Sequence, residues 1–324
     1  MNFFTSLINL RKRELHPDAR PTKIGTGTFG SVYAAKSAAG GPIVFKRFSI
    51  TKDTLANFHD EVACHQALRN KGGHPNVLMC LKVYHQLTVG TAEAVMIMEA
   101  GLMDLHQLLV SQSYIVPALQ ACSLVVDVTQ GLHYIHSCGI IHRDLKPNNV
   151  ILCWSLHQNR LLAKVADFGC SRLQGIRLEQ TVNFCTCHYR APEIFEMVQL
   201  QKTHAASSTT LKRQAVGSAT ADSSEQEILV EDISSELKAE SNAFEQFGPP
   251  SLPEPIARYS FAADVWSLGC IYAEFLHGRL LFHTRSNTDV SLLATMVARL
   301  GAPAEDELTI KAWPIDRLSE LAKA

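Results

Sequence analysis

Residues 140–152 read IIHRDLKPNNVIL, with apolar runs on both sides of His142, Arg143, Asp144, Lys146, Asn148 and Asn149. Such bracketing predicts a short polar loop pinned at both ends to a core. Within it, Asp144 can accept a proton from an incoming hydroxyl. Lys146 can stabilise charge that develops on a transferring phosphoryl group. Asn149 offers an amide oxygen to a hard cation. Asp167, at the end of the apolar run in VADFGC, offers a second oxygen ligand. Two oxygen side chains plus phosphate oxygens suit Mg²⁺, which rarely has an all-protein cage. Taken singly, each residue is better read as a satisfied loop polar group; the ordered set is not.

Upstream lies Ile24-Gly25-Thr26-Gly27-Thr28-Phe29-Gly30-Ser31-Val32. Glycines let a backbone approach a phosphate chain closely and aim its N–H groups at it. A lone GxGxxG fits either a dinucleotide-binding turn or a hairpin. The dinucleotide turn opens into a helix, whereas SVYAAK continues as a strand, so a glycine-rich hairpin over a nucleotide is expected. Lys46 sits inside the apolar strand PIVFKRF and needs an anion if buried; the alternative is a lysine snorkelling from an edge. Glu61, on the following helical stretch, can supply the partner, and the pair can present the ammonium to phosphate oxygens.

These groups require a scaffold, and its pattern is readable. Residues 21–101 read as strands with one helix, TLANFHDEVACHQALRN, stopped at Gly72-Gly73. From residue 102 the pattern turns helical. VPALQACSLVVDVTQGLHYIHSCG and FAADVWSLGCIYAEFLHG are apolar around most of their circumference and predict buried helices. SLLATMVARLG predicts another helix, with Gly301 as its stop. Residues 198–258 are rich in Ser, Thr, Ala, Gln and Glu and end in a proline cluster. That composition marks an insertion, read as a solvated loop; its acidic stretch EQEILVEDISSELKAESNAF is the alternative docking helix. Residues 1–20 form an N-terminal extension, read as a surface helix or frayed tail.

The 324 residues are 46% apolar and 19% charged, ordinary for a globular chain. A net charge of −1 gives no global field directed at nucleic acid or an anionic membrane. No apolar run approaches the ~18 residues of a membrane span. Nine scattered cysteines without framework spacing fit free thiols in a reducing compartment, cytoplasmic or nuclear.

The Gly-rich loop, the strand lysine, HRDLKPNN, DFG (167–169) and APE (191–193), followed by DVWSLGC (264–270), stand in the order of the eukaryotic protein kinases, which this chain resembles from about Thr22 to Leu300 apart from the insertion. The resemblance implies an α+β bilobal fold, with a small β-rich N-lobe and a larger helical C-lobe. It implies ATP as phosphoryl donor, Mg²⁺ and protein substrates. Carried over, residues 24–32, Lys46, Glu61 and Glu99 bind ATP. Met98 backs the adenine pocket, and Glu99 to Leu102 form the hinge. Asp144 is the catalytic base, assisted by Lys146, and Asn149 and Asp167 hold metal. Lys146 after HRDL is the serine/threonine form. TCHYRAPE is similar to the cyclin-dependent and related (CMGC) kinases, in which the arginine at the position of Arg190 accompanies a preference for proline after the phosphoacceptor. Thr181 falls at their activating phosphosite, and Arg143 and Arg172 fall at two of the arginines that clamp the phosphate.

Departures from the pattern carry expectations of their own. Asp60 stands where the clamp's third arginine is usual, and an acid there would repel a phosphate; dependence on a cyclin-like or other activating subunit stays open. Val44 narrows the roof over adenine. His65 and Cys80 occupy usually apolar positions in the stack that joins the lobes, so weaker packing is expected there. The final stretch lacks the family's last helices and the arginine that pairs with Glu193, so the C-lobe reads as incomplete at its end. The rival to an enzyme is a kinase-like binding module, which would have no physical need of a full catalytic set.

Overall fold

Alternation in PIVFKRFS builds the strand that carries Lys46, β4 (Pro42–Ser49). Successive side chains of a strand face opposite ways, so Val44, Lys46 and Phe48 share one face while Phe45 turns to the other. There Phe45 stacks on Tyr33 at 5.3 Å and joins Leu15, Tyr84, Val95 and Ile97 in one buried cluster. In this computed structural model the described residues are 4–6, 15–16, 18, 20–27, 30–88, 91–111, 117–174, 186–195, 260–286 and 288–301. Thr28, Phe29, Thr181, the 198–258 insertion with its acidic stretch, and the closing KAWPIDRLSELAKA lie outside them.

Strand β4 lies inside a six-stranded sheet. Its other members are β1 (Phe4–Ser6), β2 (Thr22–Gly27), β3 (Gly30–Lys36), β5 (Cys80–Thr88) and β6 (Thr91–Glu99), in the order β1-β5-β6-β4-β3-β2. Only β1 on β5 is parallel, with Phe4 opposite Val83. At Phe4–Ser6 a strand stands where a surface helix or frayed tail was expected; most of residues 1–20 lies outside the described residues. A three-residue strand has no period of its own to read, and the edge of β5 supplies its partner. The glycine-rich segment is the expected hairpin: β2 and β3 are antiparallel and close at Gly27 opposite Gly30.

Helix α1 (Lys52–Asn70) opens on a reciprocal capping box, Thr51 with Thr54, and stops before Gly72 and Gly73, whose φ angles of 94° and 76° a side chain would disfavour. Its Phe58 and Val62 pack with Phe48, Cys80, Val83, Ala94 and Met96, and Phe58 meets Phe48 edge-on at 5.2 Å. Burying such side chains contributes roughly 1.5–3 kcal/mol each, which seats α1 on the face of β4 that carries Lys46.

The helical part contains β7 (Met103–Asp104), α2 (Leu105–Val110), α3 (Ala118–Ser137), β8 (Ile140–Ile141), β9 (Val150–Ser155), β10 (Arg160–Val165), β11 (Arg172–Leu173), α4 (Phe261–His277) and α5 (Asp289–Leu300). Strand β9 pairs with β10 and β7, and β8 with β11. Helices α3 and α4 are less enclosed than their sequences suggest. Leu124, Val128, Leu132 and Ile135 form the buried stripe of α3, while Leu119 and Val126 are exposed; on α4, Val265, Tyr272 and Leu276 are exposed. Apolar character sets what a helix can bury, and a packed neighbour decides what it does bury. Among the described residues no helix is long and apolar enough to cross a membrane.

Two compact units divide the chain: Met1–Ile176, Phe184–Tyr189 and Tyr259–His283 form one, and Arg177–Asn183, Arg190–Arg258 and Thr284–Ala324 the other. In the second, α5 starts on a Thr288–Ser291 capping box and buries Leu292, Leu293 and Met296. Arg190 donates to Asp289 at 3.4 Å and lies 5.1 Å over the Phe195 ring. Burial pushes the Glu193 carboxyl above its usual pKa.

Candidate active site

Strands β8 and β9 pin the ends of the polar loop read in the sequence. Ile140, Ile141, Val150 and Leu152 are buried, and β8 and β9 pair with β11 and β10. The turn between them forces Arg143 to a left-handed φ of 71°, costly for a side chain of that size. Asp264 of α4 holds it in place. Its carboxylate accepts the backbone N–H groups of His142 and Arg143, each at 2.8 Å, and lies 2.8 Å from His136 Nε2. An acid buried to this degree is tolerated because its oxygens are satisfied.

Asp144 sits at the focus of the loop. Its Oδ2 accepts Lys146 Nζ at 2.6 Å and Asn149 Nδ2 at 3.2 Å. Its Oδ1 accepts both the amide and the hydroxyl of Thr186 at 3.1 Å. Lys146 Nζ also donates to Thr186 Oγ1 at 2.9 Å. The sequence pattern does not single out Thr186, although it opens the TCHYRAPE motif. The amide nitrogen of Asn149 also donates to the Asp144 carbonyl at 2.8 Å, which leaves the amide oxygen as the end suited to a cation.

On the sheet side, Lys46 Nζ lies 2.9 Å from both oxygens of Glu61 and 2.8 Å from Asp167 Oδ1. Lys46 and Glu61 are buried, while the Asp167 side chain is 48% exposed. Burial works against the Lys46 charge, but Asp167 and Glu61 outweigh it and raise the pKa above the ordinary lysine value. Burial raises the Glu61 carboxyl, opposed by Lys46. At the half-exposed Asp167, partial desolvation opposes ionisation, yet the Lys46 ammonium prevails and holds the carboxyl down at about 2. Asp167 is thus an anion throughout the working pH range.

The donor set fits Mg²⁺. Asn149 and Asp167 are hard oxygen ligands, and among the described residues no group of three or more His, Cys, Asp or Glu side chains could hold an ion by itself. A cation here would take its remaining ligands from phosphates and water, as Mg²⁺ does.

Leu78, Met98 and Ala166 form a buried apolar cluster, with Val44 and Ile151 packed against it. Val44 stands opposite Met98 in the sheet. Met98 and Val44 were expected at an adenine site; Ile151 and Ala166 were not, because apolar residues beside a polar motif read simply as core. At the expected hinge, Leu102 donates to the Leu152 carbonyl at 2.8 Å. A Cβ on Gly101 would stand 2.1 Å from Ile151 Cγ2, so only glycine permits this approach. Glu99 pairs with Lys164 at 2.6 Å.

The expected weak point in the stack is instead closed by a polar contact. His142 and Phe168 have ring centroids 5.5 Å apart, Phe168 and His65 5.0 Å, and the Cys80 amide donates to His65 Nδ1 at 3.3 Å. Burial, aided by the Lys46 ammonium, pushes the His65 pKa down to about 3. An unfolded histidine binds a proton below about pH 6.5, whereas folded His65 does not until about pH 3. Its stabilising contribution is therefore complete above pH 6.5 and declines as the pH falls from there. His65→Leu should remove about 2 kcal/mol of the stability lost between pH 7 and pH 5, as measured by urea unfolding at the two values. An unchanged pH slope would refute this.

Each of the eight described cysteines is a free thiol.

Comparison with known proteins accords with this geometry. The family model described as protein kinase domain matches residues 19–209. The chain is 25% identical over 301 residues to the serine/threonine kinase NLK of Caenorhabditis elegans, covering 90% of this chain and 36% of that protein. It is 27% identical over 300 residues to the serine/threonine-protein kinase NLK2 of Xenopus laevis, with 90% and 50% covered. It is 27% identical over 296 residues to the mitogen-activated protein kinase HOG1 of Arthrobotrys oligospora, with 90% and 62% covered. The chain thus spans between 36% and 62% of the length of these relatives. A glycine hairpin, a buried lysine–glutamate pair, a pinned HRD loop and a match across more than half of its length lead to one assignment: the chain belongs to the protein kinase domain family.

Proposed function

We propose that the chain transfers the γ-phosphoryl group of ATP to serine or threonine hydroxyls of protein substrates, with a preference for proline after the acceptor. The observation that carries this reading is the Asp144 carboxylate, buried and held by Lys146, Asn149 and Thr186 beside the Lys46–Glu61–Asp167 network. Val44, Met98, Ile151 and Ala166 enclose the adenine, and Lys46 binds phosphate oxygens. Asn149 and Asp167 would hold Mg²⁺, which neutralises charge on the phosphates. Asp144 orients the acceptor hydroxyl and takes its proton as the new O–P bond forms, while the bond from the γ-phosphorus to the β,γ-bridging oxygen breaks and ADP leaves. Lys146, shared between Asp144 and Thr186, is placed to stabilise charge on the transferring group. The proline preference rests on the likeness of TCHYRAPE to the CMGC kinases, and the free thiols suit a cytosolic or nuclear location.

The test is phosphate transfer from labelled ATP to paired peptides that differ only as Ser-Pro and Ser-Ala. Transfer at least tenfold faster to Ser-Pro is expected. Equal rates would remove the proline preference. No transfer, with Mg-ATP still bound, would favour the binding-module reading.

A further inference from the structure

Arg172, three residues past Gly169, was expected to hold a phosphate. The structure gives it another partner. Its Nε lies 3.1 Å from Asp60 Oδ2, its Nη2 donates to Asn57 Oδ1 at 2.9 Å, and its Nη1 donates to the Ser171 carbonyl at 2.8 Å. Asn57 and Asp60 are three residues apart on α1, hence on one face of the helix. All three edges of the guanidinium are thereby engaged, two of them by α1. The acid expected to repel a phosphate at this position occupies the arginine itself.

We propose that Asp60 is a positioning residue, anchoring α1 to the segment after residues 167–169 so that Glu61 is held on Lys46 with no phosphate at Thr181. This rests on the phosphoryl-transfer reading above. Consecutive residues of a helix point about 100° apart, so the two acids take hold in different directions. Glu61 reaches Lys46 on β4, and Asp60 reaches Arg172 on β11. Two such ties fix both the rotation of α1 about its axis and its distance from the catalytic loop. The far end of the tie is rigid as well: Arg172 pairs with Ile141, and Ser171 Oγ donates to the His142 carbonyl at 3.1 Å. A phosphate that reached Arg172 would have to displace a carboxylate of its own sign and bring two negative groups together, the arrangement in which phosphorylation disrupts instead of ordering.

The experiment compares the full chain with Thr181→Ala, Asp60→Asn and Asp60→Glu. All are treated with phosphatase, and a portion of the wild type is left untreated. Amide hydrogen exchange along α1 and steady-state transfer to the Ser-Pro peptide are both read. Thr181→Ala and treated wild type are expected to match untreated protein. Asp60→Asn should exchange about tenfold faster over residues 57–65 and lose about tenfold in kcat at unchanged peptide KM, and Asp60→Glu should recover most of both. Wild-type exchange rates in Asp60→Asn, or loosening of α1 in Thr181→Ala to the Asp60→Asn level, would overturn the proposal. Absence of transfer in every sample would defeat the proposed function instead, and the exchange rates would still decide the role of Asp60.

Discussion

Asp144→Asn should lower the rate of phosphate transfer by about 10²–10⁴-fold, the usual contribution of a general base, without a comparable loss of Mg-ATP affinity. The substitution keeps size and shape, and its amide oxygen can still accept from Thr186 or Lys146. It removes the negative charge that receives the hydroxyl proton. It also leaves Lys146 Nζ, now 2.6 Å from a carboxylate oxygen, beside a neutral amide, so charge stabilisation shifts as well as proton transfer. Single-turnover transfer measured with saturating ATP isolates the chemical step, and thermal stabilisation by Mg-ATP reports binding. Equal rates in the variant and the parent would remove Asp144 from the mechanism and, with it, the central step of the proposed function.

Lys46→Met should have the largest effect on the fold and bring transfer below detection. Among the described residues, Lys46 is the one ammonium set against both Glu61 and Asp167. Removing one partner of a buried pair typically costs about 3–5 kcal/mol, because the remaining charge has lost its compensation. Glu61, whose side chain is 2% exposed, can escape only by taking up a proton, and burial already pushes its pKa upward. The sign of the pH dependence follows. A carboxyl whose folded pKa lies above its unfolded value is least unfavourable at low pH and destabilises as the pH rises through the folded value. The stability gap between Lys46→Met and the parent should therefore widen from pH 5 to pH 7 in chemical denaturation. A gap that stayed constant would mean that Glu61 is not left as a buried anion. Asp167, half-exposed, contributes less to this cost, since solvent screens it.

Much of the candidate site is legible in the amino-acid sequence, for a physical reason. HRDLKPNN, DFG and the glycine turn place chemically distinct side chains within a few residues of one another, where local backbone geometry dictates much of their relation. The glycine hairpin is legible because a strand pattern continues past Gly30, and α1 because its apolar spacing and glycine stop are local. Thr186 and Ile151 are harder to see. One is a small polar residue in a motif noted for other members, and the other is an apolar residue that looks like any other piece of core.

Residue types and their order alone determined the candidate reacting groups, the two-part α+β architecture and the family. Tertiary structure alone decided that Phe4–Ser6 becomes an edge strand, that α3 and α4 each leave apolar residues uncovered, and that Arg172 meets Asp60. These outcomes depend on pairings between residues far apart in the chain. Local periodicity carries no information about such partners, because hydrophobic burial and ion pairing reward whichever surface the fold brings within reach.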